Sequence, residues 1–232
     1  MELPTSLAGA VEVLQDRILS LMKGLPEDRR ILIALAGVPG SGKSTITAAL
    51  LAQLKHAGVR NAVVVPMDGY HYTKARLAGF QDPGEALRRR GSPFTFDAQS
   101  FLKTVSFLHD APVASHDTLA EELWIPGFDH AVQDPVPNDV CITASTRIII
   151  LEGNYVLLDQ APWNQLATMV DERWFVDTSR HIAKHRIAKR HVNAGIEHTL
   201  EAAEQRAEEN DLPNGDLIRA NLLSPDVVIK ND

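Results

Sequence analysis

An α/β fold with a mainly parallel sheet is indicated by three observations. Continuous apolar runs such as "RILIALAG" (30–37) and "TRIIILEGN" (146–154) have no wet face and suit strands covered on both sides. Segments with apolar residues at helical spacing lie between them. The two kinds of segment alternate along the chain, the order that crossover connections in a parallel sheet require.

The first helix is expected over 6–23, where Leu7, Val11, Leu14, Ile18 and Leu21 fall at 3.6-residue spacing behind Thr5 or Ser6 as N-cap. A buried strand follows at 30–37, then a helix from about Lys43 to Ala57, closed by Gly58. "NAVVVPM" (61–67) is a second strand. In "DPGEALRRRG" (82–91), Asp82 caps a helix, Pro83 takes its first position, Glu85 completes a capping box and Gly91 stops it. Asp97 opens a helix running to about His109. "EELWIPGFD" (121–129), "TRIIILEGN" (146–154), "ERWFVDT" (172–178) and "PDVVI" (225–229) are strands, while 179–195 and 199–210 are polar helices. The proline-rich stretch 127–139 is expected to be a loop over one end of the sheet. One domain over 1–232 is expected, with an N-terminal helix at 5–24, a core from 30–180 and 222–230, and further helices at about 181–215.

Composition narrows the function. The chain has 232 residues, 44% hydrophobic and 23% charged, enough to bury a full core. A net charge of −7 speaks against broad binding to nucleic acid or an anionic membrane. The first twenty residues carry Glu2, Glu12 and Asp16 and lack a secretory pattern, and no apolar run is long enough to span a bilayer. The single cysteine, Cys141, suits a reducing compartment, so a cytoplasmic location is expected.

"GVPGSGKST" (37–45) carries the chemistry. It fits G-x-x-x-x-G-K-[ST] and lies between a buried strand and a helix. Such a loop turns its backbone N–H groups onto phosphate oxygens at a helix N-terminus. The candidate nucleotide-binding residues are Gly37, Val38, Pro39, Gly40, Ser41, Gly42, Lys43, Ser44 and Thr45, with Lys43 reaching the β/γ-phosphates and Ser44 ligating Mg²⁺. Glu152, delivered by an apolar strand to the same sheet edge, is a second Mg²⁺ candidate. A guanine-reading [NT]-K-x-D string is missing: "TKAR" (73–76) lacks the acid.

In "VPMDGYHY" (65–72), Asp68 is either a turn former or a working carboxylate. A parallel sheet brings strand ends to one edge, so a carboxylate after the second strand faces the γ-phosphate and can take the proton of an attacking hydroxyl. Asp68 is also a third metal candidate. Tyr70 and His71 are candidate acceptor-pocket residues.

The cradle "GVPGSGKST", then "MDGYHY", "IPGFDH", "IIILEGNY" and a late "PDVVI" resemble, in that order, the uridine kinase, phosphoribulokinase and pantothenate kinase group of P-loop kinases, and most closely its uridine kinase-like, fructose-transport-system-kinase-like subgroup. The similarity covers about residues 30–230. It implies the P-loop NTPase form of the fold, a three-layer α/β/α sandwich with a helical lid, and transfer of phosphoryl from ATP, with Mg²⁺, to the hydroxyl of a small polar metabolite. It implies that Asp68 faces the acceptor, that Asp129, His130, Asn154 and Arg90 lie on the acceptor side, and that Arg186 and Arg190 cover the transferring phosphoryl from the lid. The lid departs from the uridine kinase pattern R-D-x-x-x-R-G: "AKHRIAKRHVNAGIEHT" lacks its second half. "ENDLPNGDLI" (209–218) is expected to form a loop near the adenine. The competing function is a P-loop ATPase or nucleotide-binding regulator with no small-molecule acceptor. A monomer or homodimer without nucleic-acid or membrane partners is expected.

Overall fold

A computed structural model of the chain describes residues 1–3, 6–114 and 122–232. Thr5 and the first residue of the strand expected at 121–129 lie outside the described residues.

Helix α1 (Leu7–Gly24) starts at Ser6, whose hydroxyl accepts from the Gly9 N–H, and buries Val11, Leu14 and Ile18. It leads to β1 (Ile31–Gly37), buried at every position. Then come α2 (Lys43–His56), β2 (Ala62–Pro66), a 3-10 turn (Met67–Tyr70), α3 (Lys74–Leu77), α4 (Pro83–Arg88) and α5 (Ala98–Asp110). Asp82 and Asp97 cap α4 and α5 by accepting from Glu85 N and Ser100 N. The strands β3 (Leu123–Asp129), β4 (Asp134–Ile142), β5 (Ile148–Gly153) and β6 (Glu172–Asp177) follow. The chain ends in α6 (Arg180–Asn193), α7 (Leu200–Arg206), α8 (Leu212–Ala220) and β7 (Val227–Lys230).

Five strands form a parallel sheet in the order β2-β5-β1-β6-β7. Side chains alternate across it. Ile31, Ile33 and Leu35 of β1 face Leu14 and Ile18 of α1 and Ile46 and Leu50 of α2. Leu32, Ala34 and Ala36 face Phe101 and Val105 of α5, Trp163 and Ile218 of α8. The sheet is therefore the middle of three layers, as expected for a P-loop NTPase fold.

Two expectations are corrected. The stretch 127–139 is no loop: β4 pairs antiparallel with β3 as a ribbon outside the main sheet. Prolines 135 and 137 are tolerated because both strands of a two-stranded ribbon are edges. Asn138, at φ 53°, sits where the register shifts, and Gln133, at φ 58°, turns the hairpin. The stretch 209–218 is no loop either. A π turn (Ala207–Asp211) joins α7 to α8 in one continuous helical rod. Pro213 has no N–H for the regular ladder, and a wider turn just before it absorbs that break.

Candidate active site

The C-terminal ends of β1, β2 and β5 meet at one edge, where Leu35 and Pro66 both lie beside Glu152 in register. A cleft of about 1090 Å³ opens there. One wall is the phosphate loop, another the 3-10 turn with the β3–β4 ribbon, and the third is α6 with the π turn.

Pro39, Gly40, Gly42, Lys43, Ser44 and Thr45 line the cleft, whereas Gly37, Val38 and Ser41 lie behind it. Gly42 precedes α2 at φ 88°, a left-handed conformation that L side chains rarely adopt. A Cβ there would also lie 2.4 Å from Asn231 Nδ2. That amide donates to the Ser41 carbonyl at 2.7 Å, so the segment after β7 straps the loop from outside. Sequence reasoning missed Asn231. Its signal is its place directly after a parallel strand that ends at the ligand edge.

Lys43 Nζ donates to the carbonyls of Gly37 (3.0 Å) and Val38 (3.3 Å) and to Asn154 Oδ1 (2.8 Å). Burial pushes its ammonium down to about 8, against the pull of Glu152 and Asp68. The Ser44 hydroxyl donates to Glu152 Oε1 at 2.6 Å, and Thr47 donates to Oε2 at 2.8 Å. A hydroxyl and a carboxylate are thus already assembled beside a half-buried cation. These are hard oxygen donors of the kind Mg²⁺ takes, and the residues fit the ion.

Asp68 lines the cleft from the 3-10 turn. Gly69 docks that turn on β3 so closely that a Cβ would stand 2.1 Å from the Pro126 carbonyl oxygen. His71 packs in tilted contact with Phe96 (3.9 Å between ring centres) and Phe128 (5.0 Å), and its Nδ1 lies 2.8 Å from the Asp68 carbonyl. Burial lowers its pKa, against the raising effect of Asp68. Arg90 reaches the same wall, donating to Asp134 Oδ1 (2.7 Å), the Tyr72 carbonyl (3.0 Å) and the Gln133 carbonyl. His130, Asn154, Arg186 and Arg190 also line the cleft. Arg186 donates to the Asn231 carbonyl at 2.7 Å.

Two expected acceptor residues are not brought to the cleft. Tyr70 is buried against Phe101, ring centres 5.0 Å apart, and its hydroxyl donates to Thr104. Asp129 caps the hairpin turn by accepting from the Ala131 and Val132 N–H groups, which lower its pKa. In the stretch expected near the adenine, Asn210 Nδ2 donates to the Arg90 carbonyl at 3.1 Å. Phe96, Phe128, Lys74, Asn210 and Asp211 line the cleft without having been singled out. Phe128, Asn210 and Asp211 sit on the ribbon or the π turn, within the stretches 127–139 and 209–218 expected as loops.

The chain is similar to several known proteins. C227.14 of Schizosaccharomyces pombe, provisionally named a uridine kinase, is 37% identical over 218 residues, covering 94% of this chain and 88% of that protein. The ATP-dependent kinase-like protein notR' of Aspergillus versicolor is 45% identical over 157 residues, covering 68% of this chain and 89% of that protein. The crystal structure of a provisionally named fructose transport system kinase from Silicibacter sp. TM1040 superposes with a TM-score of 0.77 at 32% identity, covering 94% of this chain and 98% of that one. YFH7 of Saccharomyces cerevisiae, described as a P-loop kinase with a circular permutation, superposes at 0.83 with 26% identity, covering 96% and 99%. A family model for the methylmalonyl-CoA mutase-associated GTPase MeaB matches residues 12–73, the segment from α1 through the phosphate loop and 3-10 turn. Among the described residues, no helix is long and apolar enough to cross a membrane.

Proposed function

We propose that this chain, which belongs to the uridine kinase-like family of P-loop kinases, transfers the γ-phosphoryl group of ATP to a hydroxyl of a small polar metabolite. The observation that carries this reading is the pairing of two built walls across one cleft. A phosphate loop with Ser44 and Glu152 already bonded faces Asp68 on a closely docked turn, beside packed rings. A nucleotide-binding regulator or simple ATPase needs only the first wall.

In the proposed step, Lys43 leaves its loop carbonyls for the β/γ-phosphates, exchanging weak neutral acceptors for anionic ones. Ser44 and Glu152 would hold Mg²⁺, which neutralises charge on the β- and γ-phosphates. The acceptor oxygen attacks the γ-phosphorus. The new O–P bond forms as the bond to the β,γ-bridging oxygen breaks, ADP leaves, and the hydroxyl proton passes to Asp68. Arg190 lies over the cleft, where negative charge on the transferring group develops.

The test is ADP formation measured with and without each member of a panel of hydroxyl compounds. The expected result is an acceptor that raises the rate far above its acceptor-free value and appears as a phosphate ester. A rate that stays the same whatever is added favours the regulator or ATPase.

A further inference from the structure

The segment after β7 grips the phosphate loop at one peptide plane. Asn231 Nδ2 donates to the Ser41 carbonyl at 2.7 Å. That oxygen only accepts, so the amide must present its NH₂ group to it. In a planar trans peptide the Ser41 C=O and the Gly42 N–H point in opposite directions. Ser41 lies behind the cleft and Gly42 lines it, so a carbonyl held from behind turns the Gly42 N–H toward the cleft. Among the described residues, that N–H has no hydrogen-bond partner. It is an unpaired donor at the start of α2, where an anion is favoured. A hydrogen bond to the carbonyl also polarises the peptide and strengthens its N–H as a donor.

The loop has few other means of fixing this plane. Gly40 is at φ 75° and Gly42 at φ 88°, and glycines on either side of Ser41 leave its peptide free to rotate. The Ser41 N–H donates to the Val38 carbonyl and the Gly42 carbonyl accepts from Ile46, both at 3.1 Å, but neither bond holds the Ser41 carbonyl. Asn231 can impose an orientation because it is itself anchored. Its N–H donates to the Asp177 carbonyl at 2.9 Å and its carbonyl accepts from Arg186 at 2.7 Å. The next residue, Asp232, accepts from the Ser179 N–H at 2.7 Å and the Thr178 hydroxyl at 3.1 Å, at the positive end of α6. Gly40 packs on the same helix, where a Cβ would stand 2.9 Å from the Ala183 carbonyl oxygen. Loop, strap and α6 therefore interlock.

We propose that Asn231 is a positioning residue for phosphate binding, locking the Ser41–Gly42 peptide with its N–H turned to the cleft so that the loop meets an anion already oriented. The role rests on the reading of 37–45 as a phosphate cradle, which the kinase and the regulator share. Its test distinguishes a wrong cradle from a wrong role for Asn231.

ADP with Mg²⁺ is titrated calorimetrically into wild type, Asn231→Ala and Asn231→Leu, the last of which keeps bulk and donates nothing. NMR follows the Gly42 amide through the same titrations. Wild type should bind ADP, and its Gly42 amide proton should move downfield as it meets phosphate. Both variants should bind ADP about five- to tenfold more weakly, the size of one neutral hydrogen bond. Their Gly42 shift should be much smaller, the mark of a longer bond to phosphate. A side chain that only fills space would leave affinity and shift in Asn231→Leu at their wild-type values. Unchanged ADP affinity in either variant overturns the proposal. Weaker binding with an unchanged Gly42 shift overturns it as well, because the effect then arises elsewhere. A wild type that binds no ADP overturns the cradle and the proposal together. If Asn231→Ala does not fold, Asn231→Leu decides.

Discussion

Lys43 is held by its own loop, on two carbonyls and Asn154, at a depth where its charge is disfavoured. An anionic ligand relieves that burial penalty, so the side chain is poised for phosphate. Lys43→Ala should weaken ATP binding by tenfold or more, on the order of 1.5–3 kcal/mol for a lost charge-assisted bond, while the chain stays folded. Calorimetry on the variant checks this, and unchanged ATP affinity together with unchanged turnover would refute the role. Asp211 makes a residue-scale prediction about pH. Burial raises its folded pKa from 3.8 to about 6, with Arg190 and Arg206 pulling the other way. A carboxyl raised on folding destabilises the native state once the unfolded chain ionises. The penalty is absent below about pH 4, grows between about 4 and 6, and is complete above. Asp211→Asn should therefore stabilise the fold at pH 7.5, by about 1–3 kcal/mol, and leave it unchanged at pH 4. Urea unfolding at both pH values measures it. Destabilisation at both would mean that Asp211 holds the structure and carries no burial penalty.

At the scale of elements, the 3-10 turn is positioned by what is missing from it. Gly69 lets Met67–Tyr70 lie against the Pro126 carbonyl, and Met67 in turn packs against Gly153. Gly69→Ala should cost about 2–4 kcal/mol in urea unfolding, because backbone must move away from backbone. It should also lower transfer, since Asp68 rides on the same turn. Gly24→Ala is the contrast: a Cβ there meets nothing within 4 Å, and little change is expected. Helix α6 presents Arg186 and Arg190 one turn apart on the cleft face. Alanine at both should lower turnover by about 10²-fold or more while ATP affinity changes less, since their partner charge develops in the transition state. Steady-state kinetics beside ATP titration checks this, and an unchanged rate per enzyme would reduce α6 to a solvated helix face. Elements also show where the sequence stopped being readable. The strands of the parallel sheet were legible because burial on both faces leaves continuous runs such as "IIILEG". The strand β4 was not, since Pro135, Pro137 and Asn138 read as a turn, and nothing local says that a two-stranded ribbon tolerates them. The π turn was hidden by "LPNG", a loop signature that a helix absorbs only through the packing of Leu212 and Ile218. Tyr70 and Asp129 were misplaced for a related reason: composition names a ring or an acid but not the face it turns to.

Over the whole molecule, four chain segments distant in sequence converge on one sheet edge. The phosphate loop supplies a half-buried cation, β5 supplies Glu152, the turn after β2 supplies Asp68, and the segment after β7 straps the loop through Asn231. The phosphate loop was legible as a single contiguous motif, although Asn231, which straps it, was not. The proposed acceptor half draws on the ribbon, α4 with the turn after it, and the π turn, and only the fold brings those together. The central claim is that Asp68 serves an acceptor rather than the nucleotide. Asp68→Asn keeps size and removes charge and basicity, so the direct measurement is ATP affinity and acceptor phosphorylation on the same variant. Transfer should fall by about 10²-fold, the lower end for a general base because the phosphoryl transition state is loose. ATP affinity should stay level or rise, since a negative charge facing the γ-phosphate is gone. Full transfer activity in Asp68→Asn, or a loss of ATP binding that accounts for the whole loss of transfer, would contradict the account.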